Sequence, residues 1–122
     1  VLGHADCWSL IMDYHRREFG ITLQNWSVPY EWWKDGKQNL YDDNWYAEGF
    51  REVQNLMPGN MIMMRIGSPV TNHAAIYLGN NLILHHNFGN LSARVPYGQY
   101  FRDRTVRIVR HKDISDVKNP HS

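Results

Sequence analysis

The sequence predicts an α+β domain: one amphipathic helix followed by a small antiparallel sheet. Three observations lead there. A helical period fills the first twenty residues, several short apolar runs separated by turn residues occupy 57–109, and the 122-residue length suits one domain. Hydrophobic residues make up 43% and charged residues 20%, so the chain has enough apolar content to fold around a core.

The helix is predicted from about Cys7 to Phe19. Cys7, Leu10, Ile11 and Tyr14 recur at i, i+3, i+4 and i+7, one helical stripe. Asp6 is the expected N-cap, Arg16 and Arg17 suit the last turns, and Gly20 is the expected stop. From Leu23 to Phe50 the pattern is irregular, broken by Pro29, Gly36 and Gly49, yet crowded with Tyr30, Trp32, Trp33, Tyr41, Trp45 and Tyr46. A compact region pinned by its aromatics is expected, with a short helix near Asp43 to Gly49. The competing reading makes Trp32-Trp33, Tyr41 and Trp45 a platform for a sugar or a partner subunit, and because Trp32 and Trp33 cannot both face inward on a strand, one of them is a candidate for an interface.

Strand texture begins after the Pro58-Gly59 turn. Met61 to Ile66, His73 to Leu78, Leu82 to His86 and Thr105 to Val109 read as strands, the middle two joined as a hairpin through Gly79-Asn80-Asn81. The domain is expected over residues 1–112, with 113–122 as a polar tail. The chain opens without Met, and a piece of a longer protein is expected.

Charge and apolar runs exclude some partners. Thirteen Lys+Arg against 12 Asp+Glu leave a net charge of +1, without the basic excess of a nucleic-acid binder. The longest apolar run is four residues, Met61 to Met64, so no membrane insertion is expected. With one cysteine, no internal disulfide can form.

That cysteine is the first candidate for chemistry. A thiol at a helix N-terminus feels the positive end of the dipole, which favours thiolate, and a nearby imidazole could take its proton. His73 opens one hairpin strand and His85 closes the other, which makes them near-opposite or diagonal neighbours across the ladder. The register is open: a two-residue turn sets position 85 against 76, and a bulge shifts this by one. One imidazole could act as base and the other orient it. Two blander readings stand beside this. Cys7 is equally a small apolar group on a buried stripe, and Cys7, His73, His85 and His4 are a conceivable zinc set, although no paired ligand spacing nucleates it. No cofactor or metal is expected. His86 should point to the opposite side of its strand from His85, toward solvent or a pocket.

Four motifs in order carry a resemblance: Asp6-Cys7 opening a helix, Met57-Pro58-Gly59-Asn60, His73-Ala-Ala-Ile-Tyr-Leu-Gly79, and Leu82-Ile-Leu-His85, with twelve residues between the two histidines. Together they resemble the NlpC/P60 cysteine peptidases, over about Gly3 to His111. Asp6-Cys7-Trp8, Trp32-Trp33, Asn39-Leu40-Tyr41, Gly49-Phe50, Asn72 to Gly79 and Leu84-His85-His86 look most like the branch found in the tail tips of long-tailed phages.

The resemblance implies a papain-like fold with Cys7 as nucleophile, His73 as base and His85 as the polar orienter. It implies an oxyanion site at the helix start, with Asp6 and the backbone of Cys7 in support, and Trp8, Asn72 and His86 as residues lining the substrate. The implied substrate is a peptidoglycan stem peptide. The implied setting is the virion, where other tail tip proteins are partners and an N-terminal Mov34/MPN-like domain precedes this one; assembly would occur in the host cytoplasm and action at the cell wall. Asn60 stands where the family usually has Asp, and the Tyr that many members carry upstream of the cysteine has no counterpart in this sequence. The competing expectations are an assembly subunit that keeps the fold without catalysis, and a CHAP-type amidase, which shares the Cys and His order but usually lacks the second His twelve residues on.

Overall fold

The structure is a computed structural model that describes residues 4–24, 40–86 and 92–114, with only the backbone of 4–6 and 40. The Trp32-Trp33 pair and residues 115–122 lie outside the described residues. Among the described residues, three helices and six strands follow in the order α1 (His4–Phe19), α2 (Leu40–Asn44), β1 (Phe50–Glu52), β2 (Met61–Met64), β3 (His73–Gly79), β4 (Leu82–His86), β5 (Ser92–Pro96), α3 (Gln99–Arg104) and β6 (Thr105–His111). The strands form one antiparallel sheet in the order β1-β6-β2-β3-β4-β5. The chain is thus α+β, with its cysteine on a helix packed against a small antiparallel sheet.

α1 starts at His4, three residues earlier than the sequence suggests, so Asp6 lies inside the first turn and is not the N-cap. The buried stripe is also rotated. Cys7, Trp8, Ile11 and His15 are buried, whereas Leu10 and Tyr14 are only partly so. Trp8 joins the core cluster on the side of the stripe away from Leu10. The helix stops at Gly20, whose φ of +68° lets its N–H reach back to the carbonyl of Arg16 at 3.1 Å.

The sheet is covered on both faces, which is why β2 reads as an unbroken apolar run and not as an alternation. Met61 and Met63 face α1, packing with Ile11, Phe50, Ala74, Ile76 and Val109. Ile62 and Met64 face the other way, with Ala75, Ile83 and Tyr97, and Phe101 of α3 packs on that side.

The β3–β4 hairpin turns through Asn80 and Asn81, with φ of 53° and 61°, the left-handed pair that a type I′ turn requires. The register shifts by one between Tyr77 and Gly79, giving Ile76↔Leu84 and Tyr77↔Ile83. One step further, His85 falls opposite Ala75, so His73 is its diagonal neighbour on the same face.

Three elements go beyond the sequence reading: the edge strands β1 and β5, and the short α3. The second helix covers Leu40–Asn44, ahead of the expected 43–49, and turns follow it to Gly49. Ile114, at the end of the described residues, is buried in the core. No helix among the described residues is long and apolar enough to cross a membrane.

Candidate active site

Two elements deliver the candidate nucleophile and base. The N-terminal end of α1 carries Cys7 over the start of β3, and the thiol Sγ lies 2.8 Å from Nδ1 of His73. Both groups are buried, at 1% and 7% exposure. A sulfur and an imidazole nitrogen at hydrogen-bond distance in a site shielded from water can share a proton, leaving thiolate and imidazolium.

His85 lies beside this pair. Its ring centroid is 5.5 Å from that of His73, with the planes 78° apart, and on its other side it meets Phe101 at 5.2 Å. Burial lowers the pKa of His85, and the charge of neighbouring His86 lowers it further. A neutral His85 does not repel a protonated His73. Among the described residues the buried Nδ1 of His85 has no hydrogen-bond partner.

The other expected site residues divide. Trp8 is a core residue: its indole N–H donates to the carbonyl of Gln24 at 2.7 Å and its ring meets Tyr41 edge-on. Asn72 is fully buried. Its amide accepts from the Ile66 N–H at 2.8 Å and donates to the Ile66 carbonyl at 2.9 Å, closing the 66–72 loop immediately before His73. His86 is half-buried beside His85. The side chains of Asp6 and His4 lie outside the described residues, and among the described residues no three His, Cys, Asp or Glu side chains gather closely enough to hold a metal ion.

Asn60 makes two side-chain bonds. Its amide donates to the Asn55 carbonyl at 2.9 Å and accepts from Arg110 at 3.0 Å. A carboxylate could accept the second but not donate the first.

Around the pair stand Tyr41, one of the aromatics of the irregular region, and two residues that the sequence pattern did not single out, Asp42 and Phe101. Tyr41 is 1% exposed; burial drives its phenol well above the ordinary range, and the nearby Cys7 sulfur pushes the same way. Asp42 accepts a 2.8 Å hydrogen bond from the hydroxyl of Thr71. Phe101 closes one side of His85. Neither Asp42 nor Phe101 carries a linear signal, because each reaches the site from a remote segment.

Comparison with known proteins agrees with this geometry. The chain is 47% identical over 116 residues to the tail tip assembly protein K of Escherichia phage N15, covering 93% of this chain and 48% of that protein. It is 39% identical over 113 residues to the tail tip assembly protein K of Escherichia phage lambda, covering 90% and 55%. The chain therefore spans about half the length of these relatives. The NlpC/P60 family model matches residues 2–110, and on that match, with a buried cysteine–histidine pair at its centre, the chain belongs to the NlpC/P60 family.

Proposed function

We propose that this chain is the cysteine peptidase domain of a phage tail tip protein and cleaves peptide bonds in peptidoglycan stem peptides. The observation that carries the reading is the 2.8 Å contact between Cys7 Sγ and His73 Nδ1. In this reaction His73 takes the thiol proton and the sulfur attacks the scissile carbonyl, giving a tetrahedral oxyanion. His73 then protonates the leaving amine as the C–N bond breaks, leaving a thioester on Cys7. Water, deprotonated by His73, attacks the thioester and releases the acid and the free thiol. His85 packs against His73, limits its rotation and, being neutral, leaves the imidazolium undisturbed.

The oxyanion would be met at the first turn of α1, with Asp6 and Cys7 contributing to that turn. Cys7 is the fourth residue of the helix, so the free first-turn amides precede it. With Trp8 and Asn72 bonded into the core, His86 is the remaining substrate-lining candidate. The names of the N15 and lambda relatives support a place in the tail tip among other tail proteins. An N-terminal Mov34/MPN-like domain would account for part of the relatives' additional length.

The test is digestion of purified Escherichia-type peptidoglycan. The wild type releases soluble stem-peptide fragments bearing new amino termini; Cys7→Ala, folded to the same circular dichroism spectrum, releases none. Equal release by both proteins, or none by either, would overturn the peptidase reading. The relatives' names favour a second role in assembly. Phage carrying Cys7→Ala that still build complete tails would show assembly to be independent of the thiol.

A further inference from the structure

The candidate pair joins two segments 66 residues apart, so something must hold them in register. We propose that α2 is the clasp between them, and that the Asp42–Thr71 hydrogen bond makes both residues positioning residues for Cys7 and His73. The proposal rests on the peptidase reading above.

Two adjacent side chains of α2 reach opposite sides of the site. Tyr41 is buried edge-on against Trp8, the neighbour of Cys7, with ring centroids 6.0 Å apart and planes at 80°. Asp42 accepts the Thr71 hydroxyl at 2.8 Å, two residues before His73. Thr71 and Asn72 are both fully buried. The stretch between Thr71 and His73 has little slack. The Asn72 N–H donates to the Met64 carbonyl at 3.0 Å, and its amide is locked onto Ile66 by the two bonds given above. A displacement of Thr71 would therefore pass to His73 and not be absorbed by the loop.

The clasp is itself anchored. Arg107 of β6 places one guanidinium nitrogen 3.6 Å from Asp42 and another 3.7 Å from Glu52, and its guanidinium carbon lies 4.8 Å from the centre of the Trp45 ring. Hydroxyl-to-carboxylate bonds are short and directional. Removing the Thr71 hydroxyl takes away a side-chain hydrogen bond between α2 and the His73 segment, while a valine of the same shape keeps the packing. Misplacing a reacting group by about 1 Å can cost on the order of a hundredfold in rate.

The test uses the full chain and the pH profile of Cys7 alkylation by iodoacetamide, which reports the thiolate directly because there is one cysteine. The wild type should alkylate with an inflection below the ordinary thiol value. Thr71→Val should move that inflection upward and slow alkylation at pH 6 roughly tenfold, while the rate at high pH, where every thiol is ionised, stays the same. Thr71→Ser, which restores the hydroxyl, should recover the wild-type profile. Asp42→Asn, which weakens the acceptor, should shift the profile in the same direction and decides the matter if Thr71→Val fails to fold. A low wild-type inflection left unchanged by both disrupting variants overturns the clasp alone. An ordinary wild-type inflection overturns the peptidase reading and the clasp with it.

Discussion

At the scale of single residues, the proposed peptidase chemistry depends on a proton moving across the 2.8 Å between the Cys7 sulfur and the His73 imidazole. In the proposed mechanism His85 holds His73 in place: the two rings pack at 78° with centroids 5.5 Å apart, and burial of His85 lowers its pKa and so disfavours a second positive charge there. His85→Ala is expected to lower kcat at least tenfold with KM changed little, since the ring acts on the base and not on bound substrate; steady-state kinetics on a stem peptide would show it, and an unchanged kcat would remove His85 from the mechanism. The helix that carries Cys7 and the hairpin that carries His73 and His85 were legible in the sequence, because a helical period and a turn signal mark them locally; the register between the two histidines was left open, and no local rule sets Cys7 against His73, 66 residues away. The pairing of Asp42 with Thr71 was not legible either, because the bond joining them is set by how α2 docks and no periodicity records it.

At the scale of elements, the hairpin shows what a register decision costs. Without the bulge between Tyr77 and Gly79, His85 would sit on the face opposite His73, and the imidazoles could not meet. The sequence located the turn but not the extra residue. β1, β5 and α3 were missed for related reasons: Phe-Arg-Glu and Ser-Ala-Arg-Val-Pro are edge strands with weak alternation, and six residues of α3 are too few to display a helical period. The approach to β1 depends on Gly49, with φ of +113°, where an added Cβ would lie 2.6 Å from Nε2 of His111. That nitrogen is 3.0 Å from the Glu48 carbonyl, so it cannot move without breaking a bond. Gly49→Ala is therefore expected to destabilise the protein by about 2–4 kcal/mol, combining backbone strain and a steric clash. Urea denaturation would measure it, and wild-type stability would contradict the account of this turn.

At the scale of the whole molecule, the fold stores a pH dependence away from the thiol. His15, on the buried face of α1, is fully buried, its ring facing Tyr14, Phe19, Phe50 and His111, with Nδ1 bonded to the Ile11 carbonyl at 2.9 Å. Burial lowers its pKa from 6.5 to about 4, with His111 and Arg110 adding to the effect and the Ile11 bond opposing it. Between those values the unfolded chain binds a proton that the folded chain refuses. The stability owed to neutral His15 is thus complete above 6.5 and is lost as the pH falls toward about 4. The loss from this group between pH 7 and pH 5 is expected to be about 2 kcal/mol. Urea unfolding at both pH values should show a smaller loss for His15→Leu than for the wild type; equal losses would remove His15 as the cause.

The central claim is that a buried sulfur is held as a thiolate by His73, and the most direct measurement is its ionisation, followed by the ultraviolet absorbance of the thiolate across a pH titration. The account predicts a thiolate forming well below about 8.5, the value of a free cysteine, with the transition moving up in His73→Ala. A wild-type thiol that ionises only at or above that value, with the same curve in His73→Ala, would contradict it.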